Sequence, residues 1–191
     1  MLLAAVPALL SAQARAASPG QAARGPHVGL YLGAGLPYTT HVLDAELTGG
    51  ALLGTLQAGW TFPLGPDWRL APSLEGMAVR RSGQLRGSSY DAAALRAGAT
   101  VLVGRGLANR WVALAGATVR NERDLRELDV RRVRNFRLSA RARLDYRLRG
   151  GLSAGLRVEG HFSDASDSRF VVDPRHHVAV GLTYSLRKPS A

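Results

Sequence analysis

The sequence contains no cysteine, which excludes both a disulfide framework and a thiolate metal site. Lysine is nearly absent too: Lys188 is the only one, so the formal net charge of +11 is carried by arginine. Aromatic residues make up 6% of the chain. No segment approaches the ~18 uncharged apolar residues of a transmembrane helix, so a membrane-crossing form of this chain has to cross with strands. The G-x-x-x-x-G-K phosphate loop, a G-x-G-x-x-G turn opening a helix, and Cys/His metal spacings are all missing. No cofactor and no metal is expected from these patterns. A length of 191 residues favours one domain.

What is present is, first, a short apolar N-terminus. Residues 2–10 have the length of a secretory h-region, and the small-residue sites Ala12-Gln13-Ala14 and Ala14-Arg15-Ala16 follow. Residues 1–16 are therefore expected to be a signal peptide, although no Lys or Arg precedes the apolar run. From about residue 27 onward the apolar residues recur with a period of two. The clearest stretch is 136–148. There Phe136, Leu138, Ala140, Ala142, Leu144, Tyr146 and Leu148 alternate with Arg137, Ser139, Arg141, Arg143, Asp145 and Arg147. Successive side chains of a strand point to opposite faces, so this segment has one apolar and one charged face. Seven further segments repeat the pattern: 27–36, 52–62, 68–78, 92–103, 110–120, 152–162 and 176–186. The fifth is the least regular, because Val112 and Leu114 interrupt its polar face. Alanine content leaves the fourth and fifth segments open to helix by propensity; even count and spacing favour strands.

The connections alternate in length. Long links are expected at 37–50, 80–91, 121–133 and 163–174, and short ones at 63–67, 104–109 and 149–151. Eight strands of about ten residues, joined in this rhythm, describe an all-β, eight-stranded antiparallel up-and-down transmembrane β-barrel over residues 27–187. The alternation leaves open which face points inward, since a soluble barrel hides its apolar face and a membrane barrel turns it to lipid. Aromatic residues near strand ends on the apolar face favour lipid: Trp60, Phe62, Trp68, Trp111, Phe136, Tyr146, Phe162 and Tyr184. So does an apolar face of alanine and leucine, a poor filling for a closed core. The inward face then holds Glu75, Arg96, Arg137, Arg141, Arg143, Asp145, Arg147, Arg157, Glu159 and His161. Such charges must pair inside a barrel too narrow for a water channel, which argues against general porin activity.

Over about residues 27–187 this pattern resembles the small outer-membrane barrels of the OmpA/OmpX kind. The last strand carries the most specific element. Gly181-Leu182-Thr183-Tyr184-Ser185-Leu186 looks like that family's C-terminal signal, although the chain ends on Ala191 rather than on an aromatic residue. The resemblance implies a cell outer membrane location, contact with lipid and lipopolysaccharide, and recognition by the barrel-insertion machinery. A monomer is expected.

Glu159-Gly160-His161-Phe162-Ser163-Asp164 is similar to the His-x-Ser-Asn segment of PagL-type lipid A deacylases. By that resemblance His161 would be the general base, Ser163 the nucleophile and Asp173 the nearest acidic third member. Asp164 replaces the asparagine, and the last strand offers no Glu. A polar histidine at a barrel end is the plainer reading. His176 and His177 are adjacent on a strand, point to opposite faces, and cannot chelate one ion together. Arg80, Arg81, Arg86, Arg131, Arg132 and Arg134 are expected on the outer rim, where paired hydrogen bonds from guanidinium suit lipid phosphates. No nucleic-acid partner is expected, because the arginines lack interleaved aromatic platforms. The sequence thus favours a non-enzymatic outer-membrane barrel of structural or surface-binding type. A lipid A hydrolase using His161 and Ser163 stands second, and a soluble periplasmic barrel for a small apolar ligand third.

Overall fold

The computed structural model describes residues 24–42, 45–85, 87–108, 110–124, 136–161 and 176–186. The expected signal segment, 1–16, lies outside them. The described chain forms β1 (Gly25–Val42), β2 (Ala45–Pro63), β3 (Trp68–Leu85), β4 (Ser88–Ala108), β5 (Trp111–Asp124), β6 (Phe136–Arg147), β7 (Leu152–His161) and β8 (His176–Ser185). Each strand pairs with its sequence neighbour, and β8 pairs with β1, so the sheet is a closed antiparallel barrel without an unpaired edge strand. The alanine-rich β4 and β5 are strands, since each ladder hydrogen bond they supply closes the cylinder.

Closure fixes the stagger. From Tyr31 the register runs through Thr55, Met77 and Arg96 to Glu122. In the other direction it runs through Gly181, Gly155 and Asp145 to Val112 on the same strand, β5. That offset along one strand is what tilts the strands and sets the bore of an eight-stranded barrel.

Two of the long links expected from the sequence are strands instead. Residues 37–50 continue the β1–β2 ladder from Tyr38↔Gly49 to Val42↔Ala45, after a register shift at Gly35/Tyr38. Residues 80–91 continue β3 and β4 as far as Leu85↔Ser88. β1 to β4 are accordingly 18 to 21 residues long rather than about ten. The reason is physical. Backbone pairing needs no apolar side chain, so the ladder continues where the apolar alternation of the sequence stops. At the opposite end the turns are tight. Gly150 (φ 67°) and Gly151 (φ 85°) sit in the left-handed region between β6 and β7, where a side chain would be strained, and Leu148 N donates to Leu152 O at 2.8 Å across them.

The polarity of the barrel is inverted relative to a soluble protein. Its outer face exposes apolar residues on every strand: Leu30, Leu56, Leu74, Val101, Val119, Leu138, Leu156 and Val180 among them, with Leu74 70% and Leu52 67% exposed. The described exposed aromatics Trp60, Phe62, Trp68, Trp111 and Tyr184 gather at the turn end, with Trp111 stacked at a tilt on Tyr146 at 4.9 Å. The interior is lined by arginine, glutamate, threonine and serine. Two apolar patches share it. One holds Tyr31, Leu53, Met77 and Val79 with alanines; the other is formed by Ala71, Leu102, Val112 and Leu114. The second explains the irregular fifth segment: Val112 and Leu114 face inward onto Leu102.

Candidate functional site: a charged layer across the barrel

At the height of Leu56 and Leu74 on the outer face, inward side chains meet in one hydrogen-bonded layer. β3 supplies Glu75 and β7 supplies Glu159; both carboxylates are buried beside guanidinium groups from β5 and β6. Arg120 donates through Nε to Glu75 Oε1 at 2.5 Å and grips Glu159 with both terminal nitrogens, Nη2 reaching Oε2 at 2.6 Å. Arg141 forks onto Glu75 (Nη1 to Oε2 at 2.7 Å, Nη2 to Oε1 at 2.8 Å) and also reaches Glu159 Oε2 at 2.9 Å. Two forked guanidinium groups thus bridge two carboxylates. This is the geometry in which Arg–carboxylate contacts are strongest.

The layer extends to the remaining strands. Ser139 on β6 donates to Glu159 Oε1 at 2.7 Å, and Thr100 on β4 joins Arg141 at 3.1 Å and Thr118 on β5 at 2.9 Å. Arg157 donates to Thr55 on β2 at 2.8 Å and lies 4.9 Å over the Tyr31 ring on β1. The Tyr31 hydroxyl closes the circuit to Thr183 on β8 at 2.8 Å. Gly181 makes room for that tyrosine, since a Cβ there would come within 2.5 Å of Tyr31 Cδ1 and clash with the Leu30 carbonyl.

The structure brings together much of the interior set read from the sequence: Glu75, Arg141, Arg157 and Glu159 meet in this layer, while Arg143 and Asp145 pair with each other at 2.9 Å nearer the turn end. Arg96 is buried in the bore towards the hairpin end. The Arg137 side chain lies outside the described residues. Arg120 was absent from the expected set although it is central to the layer. Its signal was available, because Val119 on the apolar face forces Arg120 onto the other.

The rim arginines divide. Arg80 is exposed on the outer face and is held in a two-point pair by Asp91, at 2.8 and 3.1 Å. Arg81 departs from the expected rim position: it is buried inside the barrel, as it must be once its neighbour Arg80 points outward. Arg86, Arg131, Arg132 and Arg134 lie outside the described residues.

Of the residues read as catalytic, only His161 is described; Ser163 and Asp173 lie outside the described residues. His161 turns into the bore, with its ring 5.1 Å from that of His177, while His176 is exposed. Glu159, His161 and His177 place one ligand atom each within 4.8 Å of one another. The histidine pair His176-His177, with His161 nearby, reads from the sequence as polar residues at a membrane interface rather than as a metal site. In the structure His177, and not His176, joins His161 and Glu159, because Glu159 pairs with His177 across β7 and β8. Glu159 is a poor ligand or acidic partner there, since both its oxygens are held by Arg120, Arg141 and Ser139.

No family model and no curated protein matches the sequence. Solved structures of similar shape include the outer membrane enzyme PagL, with a TM-score of 0.46 and 12% identity over 83% of this chain and 97% of that one. NanC porin aligns at a TM-score of 0.31 and 10% identity, covering 85% and 100% of the two chains. The β domain of the Bordetella autotransporter BrkA aligns at 0.30 and 17%, covering 86% and 100%. At these TM-scores none of the three speaks to activity or ligand.

Proposed function

We propose that this chain is an outer-membrane β-barrel protein of structural or surface-binding type, its bore filled by charged side chains rather than open to solutes. The observation that carries the reading is the inverted polarity: leucine and valine outside on all eight strands, paired arginine and glutamate inside. A continuous exposed belt of this kind is unfavourable in water and favourable in hydrocarbon, where a closed barrel also leaves no ladder hydrogen bond unmade. The layer through Glu75, Arg120, Arg141 and Glu159 occupies the bore at mid-belt, which supports a plug and opposes general porin activity. Surface binding is assigned to the hairpin end, where Arg80 is exposed and anionic lipopolysaccharide phosphates would be the partner.

The test is expression of the full-length chain in a Gram-negative host, followed by density separation of the membranes. The chain should band with the outer membrane and resist carbonate extraction. Recovery as a detergent-free soluble protein would refute the reading. Lipid A from the same cells should keep its acyl chains. Loss of acyl chains that is abolished by His161→Ala would replace the non-catalytic reading with hydrolysis.

A further inference from the structure

Buried guanidinium groups outnumber buried carboxylates in the described bore, and part of the surplus gathers at the turn-end mouth. Arg69 is the second residue of β3, and Arg143 and Arg147 lie near the end of β6. All three are within electrostatic reach of one carboxylate, Asp145. Arg143 Nη2 holds Asp145 Oδ2 at 2.9 Å. Arg69 and Arg143 are only 6% and 7% exposed, yet Arg69 Nε and Arg143 Nε and Nη1 are buried donors that hydrogen-bond to no described residue, and Asp145 Oδ1 is a buried acceptor that none of them reaches. Donors of a charged group buried in this state are costly unless acceptor oxygens are supplied. Arg147, half-buried beside the 148–151 turn, leaves the group a side open to solution.

We propose that this mouth binds a small phosphate-class oxyanion between Arg69, Arg143 and Arg147. A tetrahedral dianion offers several acceptor oxygens to planar guanidinium forks and supplies the negative charge that Asp145 alone does not. Chloride matches the charge sign but not the directional oxygens. The site is independent of which leaflet or compartment the turns face, so it can fail while the membrane reading stands.

The test uses the full chain, folded in zwitterionic detergent free of phosphate and sulfate. Thermal unfolding and calorimetric titration compare sodium phosphate with sodium chloride at equal ionic strength. Phosphate should raise the unfolding midpoint saturably and beyond chloride. Removing one charge-assisted contact in Arg147→Gln should weaken binding about tenfold. Asp145→Asn, which removes the competing negative charge, should tighten it, an effect that a purely structural role for Asp145 does not produce. Arg80→Gln, at the opposite end, should bind as the parent does. Glycerol 3-phosphate tells the source: equal stabilisation assigns the site to esterified phosphate as well, and none assigns it to the free ion. Equal midpoint shifts from phosphate and chloride in the parent overturn the proposal without any variant, as does unweakened binding in folded Arg147→Gln.

Discussion

Glu159 is the residue on which the interior charge arrangement turns, because it accepts from Arg120, Arg141 and Ser139 at once. Its replacement by Gln keeps the shape but leaves two buried guanidinium groups facing a neutral amide. Breaking a buried pair from one side costs about 3–5 kcal/mol. Glu159→Gln should therefore lower the urea midpoint of the detergent-folded barrel by a large margin. Arg80→Ala, which breaks an exposed pair, should leave that midpoint unchanged. Equal midpoints for Glu159→Gln and the parent would show that the layer contributes nothing to stability. At this scale the sequence was legible wherever alternation was strict: Glu75, Arg141, Arg157 and Glu159 could be assigned to one face by parity. Their partners could not, because Glu75 and Arg120 are brought together by three-strand register and not by spacing. Arg81 shows the reverse error, where composition of a basic stretch outweighed parity.

On the outer face of the strands the effect of an added arginine should depend on height. Leu156 on β7 faces outward in the apolar belt, and Arg at such a position costs about 2–4 kcal/mol near the bilayer midplane. Leu156→Arg should reduce outer-membrane recovery of folded protein, whereas Ser82→Arg, outward on the β3–β4 hairpin beyond the belt, should be recovered like the parent. Equal recovery of both variants would argue that the leucine belt does not meet lipid. Gly181→Ala tests the fit of Tyr31 against β8. The added Cβ overlaps Tyr31 and the Leu30 carbonyl, and overpacking of that kind costs about 1–3 kcal/mol, so the β1–β8 seam should open at lower temperature. An unchanged melting temperature would mean that the seam relaxes freely. The strands were legible in their lower halves, where one face meets the bore and the other the belt. They were not legible at 37–50 and 80–91, where the ladder goes on but the polarity contrast that reveals a strand is gone.

For the whole molecule, closure is what makes the rest possible. A row of eight strands with these side chains would leave two edges and a charged face unmet. Joining β8 to β1 removes the edges and folds the charged face onto itself, so that Arg120 and Arg141 find Glu75 and Glu159 across the bore. Eight strands and their antiparallel order could be read from period and count, and the orientation of the faces from the aromatic residues near strand ends and the alanine and leucine of the apolar face. The stagger could not, since it depends on how far each hairpin slips. The most direct test of this account is heat-modifiability. Membranes of cells expressing the full chain are run on an SDS gel with and without boiling. A closed barrel held by its full ladder and by the buried charge layer stays folded in SDS until heated, so the unboiled band should migrate apart from the boiled one, in the outer-membrane fraction. A single band at one position in both lanes, with the chain found in the soluble fraction, would contradict the membrane barrel.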